Sequence, residues 1–322
     1  MRSVQVLRLD GPSGVEVVDV PEPTPAPNQV VVEVHALGLS WPDLLLSRGE
    51  YQLKPEPPFQ LGVDFSGVVR SAPEGSDLAP GQRVAGCLPY GGGADVVALG
   101  EDSVFPLPDE VSFEQGAAIP MNYLTAHFAL TTRAGLRAGE TVLVHGAAGG
   151  VGTATVQVAK GLGARVIGVV STEEKARVAQ EAGADHTVLV DGFLASVNEI
   201  TGGAGVDVVL DVVGGDLFTD SLRVLGPLGR LLVVGFTGGT IPTVKVNRLL
   251  LNNIDVRGVG WGAYAMMRPG YMRSQWAELA PLMATGVIAP PLGAVYPVEE
   301  VSRALAEMEQ RAVLGKTVLS LR

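Results

Sequence analysis

The sequence predicts an α/β protein of two domains, a β-rich domain first and then a doubly wound parallel sheet. Three observations carry this. The chain has 322 residues, room for two domains of about 150 residues each. Its first hundred or so residues run VQVLRLD, VEVVDV and VVVEVHALGL between the turn clusters GPSG and PEPTPAPNQ, with the alternation of antiparallel strands and almost no helical period. From about residue 121, short β-rich runs (TVLVHG, RVIGVV, VDVVLDVV, GRLLVVG) alternate with amphipathic stretches such as VGTATVQVAKGLG and TEEKARVAQEAG. That alternation builds a parallel sheet with helices on its faces. Further on, helices are expected over residues 271–285 and through PVEEVSRALAEMEQ, before a strand, KTVLSL, that returns to the first domain.

Composition narrows the function classes. Hydrophobic residues make up 47% and charged residues 18%, and Gly 42 with Pro 22 stays below the level that signals disorder. The net charge of -11 opposes nucleic acid and anionic membrane as partners, because both demand a broad basic surface. Cys87 is the only cysteine, which excludes an intramolecular disulfide and a four-thiolate zinc site. The opening MRSVQVLRLDGPSG lacks the apolar core and cleavage site of a signal peptide, so the cytoplasm is the expected compartment. The uncharged window 141–159 is long enough to span a bilayer, yet its glycines, His145 and Gln157 read better as strand, turn and helix.

Within residues 141–160, TVLVHGAAGGVGTATVQVAK, Ala147, Gly149 and Gly152 fall at the three small-residue positions of the dinucleotide fingerprint, with Ala for the first Gly. Small residues permit the tight turn, close approach of backbone to a pyrophosphate, and helix-strand packing. Gly150 and Val151 open the helix, whose free N–H groups and positive dipole end suit a phosphate. An ordinary strand-helix connection would share the glycines; the second strand that follows in order favours the nucleotide site. A site for NAD should end that second strand in Asp or Glu, to accept from the ribose hydroxyls. RVIGVVSTEEK ends instead in Val170 and Ser171. With no carboxylate to repel it, a 2′-phosphate fits, and Lys175 one turn on is the residue expected to meet it. The alternative pairs Lys175 with Ser171 or a nearby Glu on a solvated face.

HGAAGGVG at 145–152, ITGGAGVDVVLDVVGG at 200–215, GRLLVVGF at 229–236 and LGKTVLSL at 314–321 together resemble one family over nearly the whole chain. It is the zinc-independent quinone oxidoreductase branch of the medium-chain dehydrogenase/reductase superfamily. The resemblance implies a GroES-like catalytic domain of residues 1–121 and 265–322, a Rossmann domain of residues 122–264, an active site in the cleft and a homodimer. Zinc-dependent cousins carry a Gly-His-Glu triplet where this chain has Gly62, Val63 and Asp64, and Cys ligands where it has Trp41 or Pro42 and Met121. Val and Met cannot hold catalytic zinc in its usual N/S set. The four-cysteine lobe is replaced by LPYGGGADVVALG, so no metal is expected. Without a Lewis acid an alkoxide has no stabiliser, whereas a conjugated acceptor spreads charge through its own π system and needs only hydrogen-bond donors.

The resemblance also implies roles for single residues. Tyr51, in SRGEYQLKPEPPF, matches the family's active-site tyrosine; it is expected to donate to the acceptor oxygen or protonate an enolate, or else to pack on a Pro-rich lid. Ser40 stands where many relatives carry Asn and joins Tyr51 as the expected catalytic pair, with Asp43 as pocket wall or solvated turn residue. Asn122 and Thr125, in PMNYLTAHFAL, match the nicotinamide side. Gly214, Gly235 and Phe236 end later strands at the carboxyl edge of the sheet, where wound α/β folds bind ligands. Arg311 matches a C-terminal arginine that some relatives bring to the 2′-phosphate, and Lys316 is a third candidate for that group. Val190 stands where relatives often place a tyrosine beside the adenosine. His145 is expected to be a satisfied strand-end histidine. NIDVRGVGWG reads as an edge strand through which two copies would pair. The expected activity is NADPH-dependent reduction of quinones or α,β-unsaturated carbonyl compounds. An enoyl-thioester reductase and a cofactor-binding protein without turnover are the alternatives.

Overall fold

The computed structural model describes residues 1–311 and 313–322. The chain divides into two compact units: Met1–Asn122, Arg268–Ala284 and Pro290–Arg322 form the first, and Tyr123–Met267 with Thr285–Ala289 the second.

The second unit alternates strand and helix. In order come β1 (Thr141–His145), α1 (Gly150–Gly161), β2 (Arg165–Val170), α2 (Glu173–Glu181), β3 (His186–Leu189), α3 (Phe193–Ile200), β4 (Val206–Asp211), α4 (Leu217–Arg223), β5 (Leu225–Val233) and β6 (Asp255–Gly258). All pair in parallel, in the order β3-β2-β1-β4-β5-β6. The strands after β1 step one way and those from β4 step the other, so the order reverses between β1 and β4. In such a sheet the ligand crevice lies outside the carboxyl ends of the strands at that reversal.

The central strands are covered on both faces and read accordingly as apolar runs: Val142, Leu143 and Val144 in β1 and Val208, Val209 and Leu210 in β4 are fully buried. Leu143 stands opposite Ile167 and Val144 opposite Leu210, and Phe193 and Phe218 from α3 and α4 complete the packing on this core. Each such side chain removed from water contributes roughly 1.5–3 kcal/mol. Small residues set α1 close to the sheet: a Cβ at Gly152 would lie 2.1 Å from Gly146 O and 2.8 Å from Ala147 Cα.

Thr285–Ala289 joins this unit, although the resemblance assigns everything from residue 265 to the terminal domain. One side chain ties it there. Gln157 Nε2 donates to Ala289 O at 2.8 Å, and Gln157 Oε1 accepts from Ala289 N at 3.0 Å and from the Tyr123 hydroxyl at 2.6 Å.

The first unit is built on a seven-stranded sheet. Leu292–Pro297, Lys316–Ser320, Gln29–Gly38, Asp64–Ser71, Arg83–Cys87 and Val104–Pro106 lie in that order, and Val96–Gly100 also pairs with Gln29–Gly38. A smaller sheet joins Val15–Asp19, Arg2–Val6 and Phe59–Gln60. The last strand runs antiparallel to Gln29–Gly38, with Val318 opposite Gly38, so the two ends of the chain share one sheet as the returning tail requires. Strand periodicity conceals a short helix, Trp41–Ser47. It starts with Pro42 in its first turn and the Ser40 N–H donated to Asp43 Oδ2 at 2.8 Å, and it buries Leu44 and Leu46. Among the described residues no helix is long and apolar enough to cross a membrane.

Candidate active site

Every β-to-α turn of the second unit opens on one edge, and the fingerprint residues meet there. Beyond β1, Gly146 takes a left-handed φ of +62°, and Ala147 N donates to Val169 O at 3.2 Å. Gly149 is the exposed N-cap of α1, and among the described residues no side chain caps the first turn. The amides of Gly150, Val151 and Gly152 therefore have the orphan donors of a helix start, ready for an anion or water. A Cβ at Gly149 would meet only Gly146 O, at 3.4 Å, so the backbone stays bare enough for a diphosphate to approach closely.

The neighbouring turns add the rest. After β2, Lys175 Nζ donates to Ser171 Oγ at 3.1 Å, so the solvated pairing weighed from sequence forms, and both groups stand where a ribose-binding carboxylate would otherwise be. Thr172 caps α2 by accepting from Lys175 N. After β4, Asp211 Oδ1 accepts from Val213 N and Gly214 N at 2.8 and 2.9 Å and bends the chain into Gly214, φ +70°. A Cβ on Gly214 would lie 2.9 Å from Phe236 Cδ1, so glycine there leaves room for the ring. Gly235 and Phe236 follow β5 rather than end it, and Phe236 keeps 37% of its surface exposed. Below this edge His145 Nε2 lies 2.7 Å from Ser221 Oγ, which itself donates to Leu217 O, so Nε2 carries the proton. His145 is only half satisfied: among the described residues its Nδ1, like Asp211 Oδ2, has no partner, and burial holds the imidazole below its ordinary pKa.

The first unit holds a buried polar cluster that sequence periodicity does not reveal. Lys316 Nζ donates to Asp64 Oδ2 at 2.8 Å and to Ser40 Oγ at 2.6 Å; Ser40 Oγ donates in turn to Asp64 Oδ2 at 2.9 Å. Asp64 Oδ1 accepts from Met121 N at 2.8 Å, in the first turn of the helix Pro120–His127, which carries Asn122 and Thr125, both buried. Asp43 lies beside them, fully buried, accepting from Ser40 N and from Gly62 N at 3.2 Å.

Two expectations are corrected by this cluster. Lys316 is 4% exposed and its ammonium is committed to Asp64 and Ser40, so it is not a ligand for a 2′-phosphate. Ser40 has one hydroxyl proton, already given to Asp64, so it has none to offer a substrate oxygen. Tyr51 differs. It is half-buried and has no hydrogen-bond partner among the described residues, which leaves its hydroxyl for a ligand. Burial, then Cys87 and Asp43, raise its pKa, so the phenol keeps its proton and acts as a hydrogen-bond donor rather than an acid. Cys87 is buried, and that burial pushes its thiol well up, so no thiolate nucleophile forms here. Arg311 is exposed beyond the helix Val301–Glu309, with a left-handed φ of +57°.

The residues do not fit a catalytic zinc. Val63 is apolar and buried, and the oxygens of Asp64 and Ser40 already face an ammonium, whose charge opposes a second cation. Among the described residues no three His, Cys, Asp or Glu side chains converge to hold a metal ion.

A wound parallel sheet with a bare glycine turn at its reversal point, in a chain whose other unit is made from both chain ends, defines a dinucleotide-binding oxidoreductase fold. Residues 26–109 match the family model of the alcohol dehydrogenase GroES-like domain, and residues 150–285 that of the zinc-binding dehydrogenases. The second stretch contains no cysteine and one histidine, His186. A cow protein, quinone oxidoreductase-like protein 2, is 38% identical over 312 residues, covering 95% of this chain and 89% of its own. A solved structure of a "probable oxidoreductase" from Mycobacterium abscessus is 44% identical, with a TM-score of 0.91 over 99% of this chain and 98% of that one. The Escherichia coli quinone oxidoreductase, solved in complex with NADPH, is 30% identical with a TM-score of 0.88 over 99% and 100%. The chain belongs to the quinone oxidoreductase family of the medium-chain dehydrogenases/reductases.

The buried carboxyl gives a stability prediction. Burial first and Asp64 second raise Asp43 from 3.8 to about 7, against the lowering effects of the Ser40 and Gly62 amides and of Lys316. The folded state then holds a proton that the unfolded chain has released, so stability falls as pH rises from about 4 to about 7 and levels off above. Melting curves of the parent and Asp43→Asn across that range should show the parent losing ground to the variant with rising pH. A constant gap would contradict the assignment.

Proposed function

We propose that this protein is an NADPH-dependent, zinc-independent reductase of quinones or α,β-unsaturated carbonyl compounds, acting in the cytoplasm. The observation that carries the reading is the bare Gly149 turn on the same sheet edge as Ser171 and Lys175, with no carboxylate at the ribose position. The amides of Gly150, Val151 and Gly152 would take the pyrophosphate beside Ala147 and Gly149, whose own N–H is donated to Gly146 O. Lys175 and Ser171 would take the 2′-phosphate, with Arg311 as a second cation, and Gly214, Gly235 and Phe236 would flank the dinucleotide. Asn122 and Thr125 would face the nicotinamide ring. NADPH, once bound, supplies the hydride. Tyr51 would donate its free hydroxyl to the acceptor oxygen as that oxygen gains charge, which is where a positioned donor lowers the barrier. A conjugated acceptor is favoured because no buried cation other than Lys316 lies in the cluster to hold an alkoxide. A net charge of -11 counts against an enoyl-thioester substrate, whose carrier brings phosphates of its own.

Two copies are proposed to pair through β6. That strand has one neighbour in its sheet, β5, and Val246, Leu250 and Leu251 just before it expose more than 70% of their surface. An open edge beside apolar side chains is a liability unless covered. Light scattering should give twice the chain mass; monomer mass would remove the proposal.

The activity is tested by following NADPH and NADH oxidation, with a chelator present, against 1,4-quinones, enones and enoyl thioesters. Quinones or enones should be reduced at the expense of NADPH. Cofactor binding without turnover would make this a binding protein, and loss of activity to the chelator would restore a metal. Lys175→Ala should weaken NADPH about tenfold and spare NADH, the worth of one charge-assisted hydrogen bond. Equal loss of both cofactors would return Lys175 to the solvated surface. Tyr51→Phe should slow turnover about tenfold to a thousandfold. Unchanged turnover would make Tyr51 a lid residue.

A further inference from the structure

Lys316, removed from the phosphate pocket by its burial, is left without a role in the reading above. Its surroundings supply one. Val318 pairs with Gly38 in antiparallel register, and Leu39 N donates to Thr317 O at 3.0 Å, which brings Lys316 beside Ser40. The side chain passes Gly38 closely: a Cβ there would sit 3.0 Å from Lys316 Cε and 2.0 Å from Ala117 O. The lysine thus runs through a corridor that a larger residue at position 38 would close, and its ammonium ends on two oxygens that are themselves nine-tenths or more buried.

We infer that Lys316 is a positioning residue: through Asp64 and Ser40 it fixes the first turn of the helix Pro120–His127 and the start of the helix Trp41–Ser47. The chain of contacts is continuous. Lys316 holds Asp64 Oδ2, and the other oxygen of the same carboxylate holds Met121 N, one residue before Asn122. A carboxylate at a helix N-terminus also meets the positive end of the helix dipole. Ser40, held from both sides, is the N-cap of the second helix, and its own N–H is donated to Asp43. One cation therefore sets the rotation of a carboxylate that has two protein elements hanging from it. Without that cation Asp64 becomes a buried, unpaired charge, which the site relieves by turning it toward water or taking up a proton. Either change loosens the grip on Met121 N.

The role in the reaction rests on the reading of Asn122 and Thr125 as nicotinamide-side residues; the anchoring itself does not. Two measurements separate these. In Lys316→Met, amide hydrogen exchange over residues 121–125 should rise about tenfold in the protein without cofactor. Turnover at saturating NADPH should fall roughly tenfold to a hundredfold, as it does when a reacting geometry is displaced by about an ångström, while NADPH affinity stays within about threefold. Adding Asp64→Asn to that variant restores a neutral cluster, and both exchange and turnover should recover to within about threefold of the parent. If Lys316→Met does not yield folded protein, Asp64→Asn alone makes the comparison, because it removes the charge through which the lysine acts and leaves Asp43 as the cluster's one acid.

Unchanged exchange in a folded Lys316→Met protein overturns the inference. So does raised exchange with undiminished turnover, which would make the pair a tether and nothing more. A loss of NADPH affinity larger than the loss for NADH also overturns it, because Lys316 would then be a phosphate ligand after all. A parent without NADPH turnover would count against the proposed activity alone, and the exchange measurement would still decide the anchoring.

Discussion

A parallel sheet has one edge at which every strand hands over to its helix, and this constraint organises the second unit. Right-handed crossovers return the chain to the same side each time, so residues from four separate stretches of sequence reach one rim without any contact having to be arranged between them. Gly149, Ser171, Gly214 and Phe236 follow β1, β2, β4 and β5 in turn. The strand order reverses between β1 and β4, the point at which sheets of this kind bind their ligands. Burial of both faces of β1 and β4 stabilises the scaffold, and the turns at its edge stay free to vary.

The first unit has no such rim and uses charge instead. Its sheet joins strands from the two ends of the chain, and the ion pair between Lys316 and Asp64 bridges 252 residues of sequence at 4% and 0% side-chain exposure. A buried ion pair adds little net stability, because desolvating both partners costs about as much as their attraction returns. What it supplies is geometry. Besides the ammonium, the carboxylate carries two further constraints, from Ser40 and Met121, and Asp43 beside it is kept from full ionisation by burial and by the same negative neighbour.

The parts that local pattern encodes were legible in the sequence. Alternation of β-rich runs with amphipathic stretches identifies the wound sheet, and the small residues Ala147, Gly149 and Gly152 locate its glycine turn, because hydrophobic period and backbone sterics are properties of neighbours in sequence. The parts that failed depend on distant partners. Nothing near Lys316 announces Asp64, so a basic residue close to the C-terminus resembles a surface cation. Ser40 resembles a free hydroxyl until the lysine and carboxylate that consume its valences are in place. Gln157 bonds the backbone of Ala289 across 132 residues and ties that segment to the second unit. The short helix Trp41–Ser47 escapes a strand-dominated reading because seven residues hold too few turns to show a period. A signal for the buried cluster did exist: Asp43 and Asp64 stand in the apolar contexts PDLLL and GVDFSG, and a carboxylate so placed must find a partner.

The central claim is that one sheet edge forms one cofactor site. Amide hydrogen exchange with and without NADPH reads this edge directly. Added NADPH should slow exchange together over residues 146–152, 171–175, 213–215 and 234–237. It should leave the opposite end of the same sheet, where β1 begins at Thr141 and β2 at Arg165, unchanged. Protection confined to a single loop, or appearing at the opposite end of the strands, would contradict the claim.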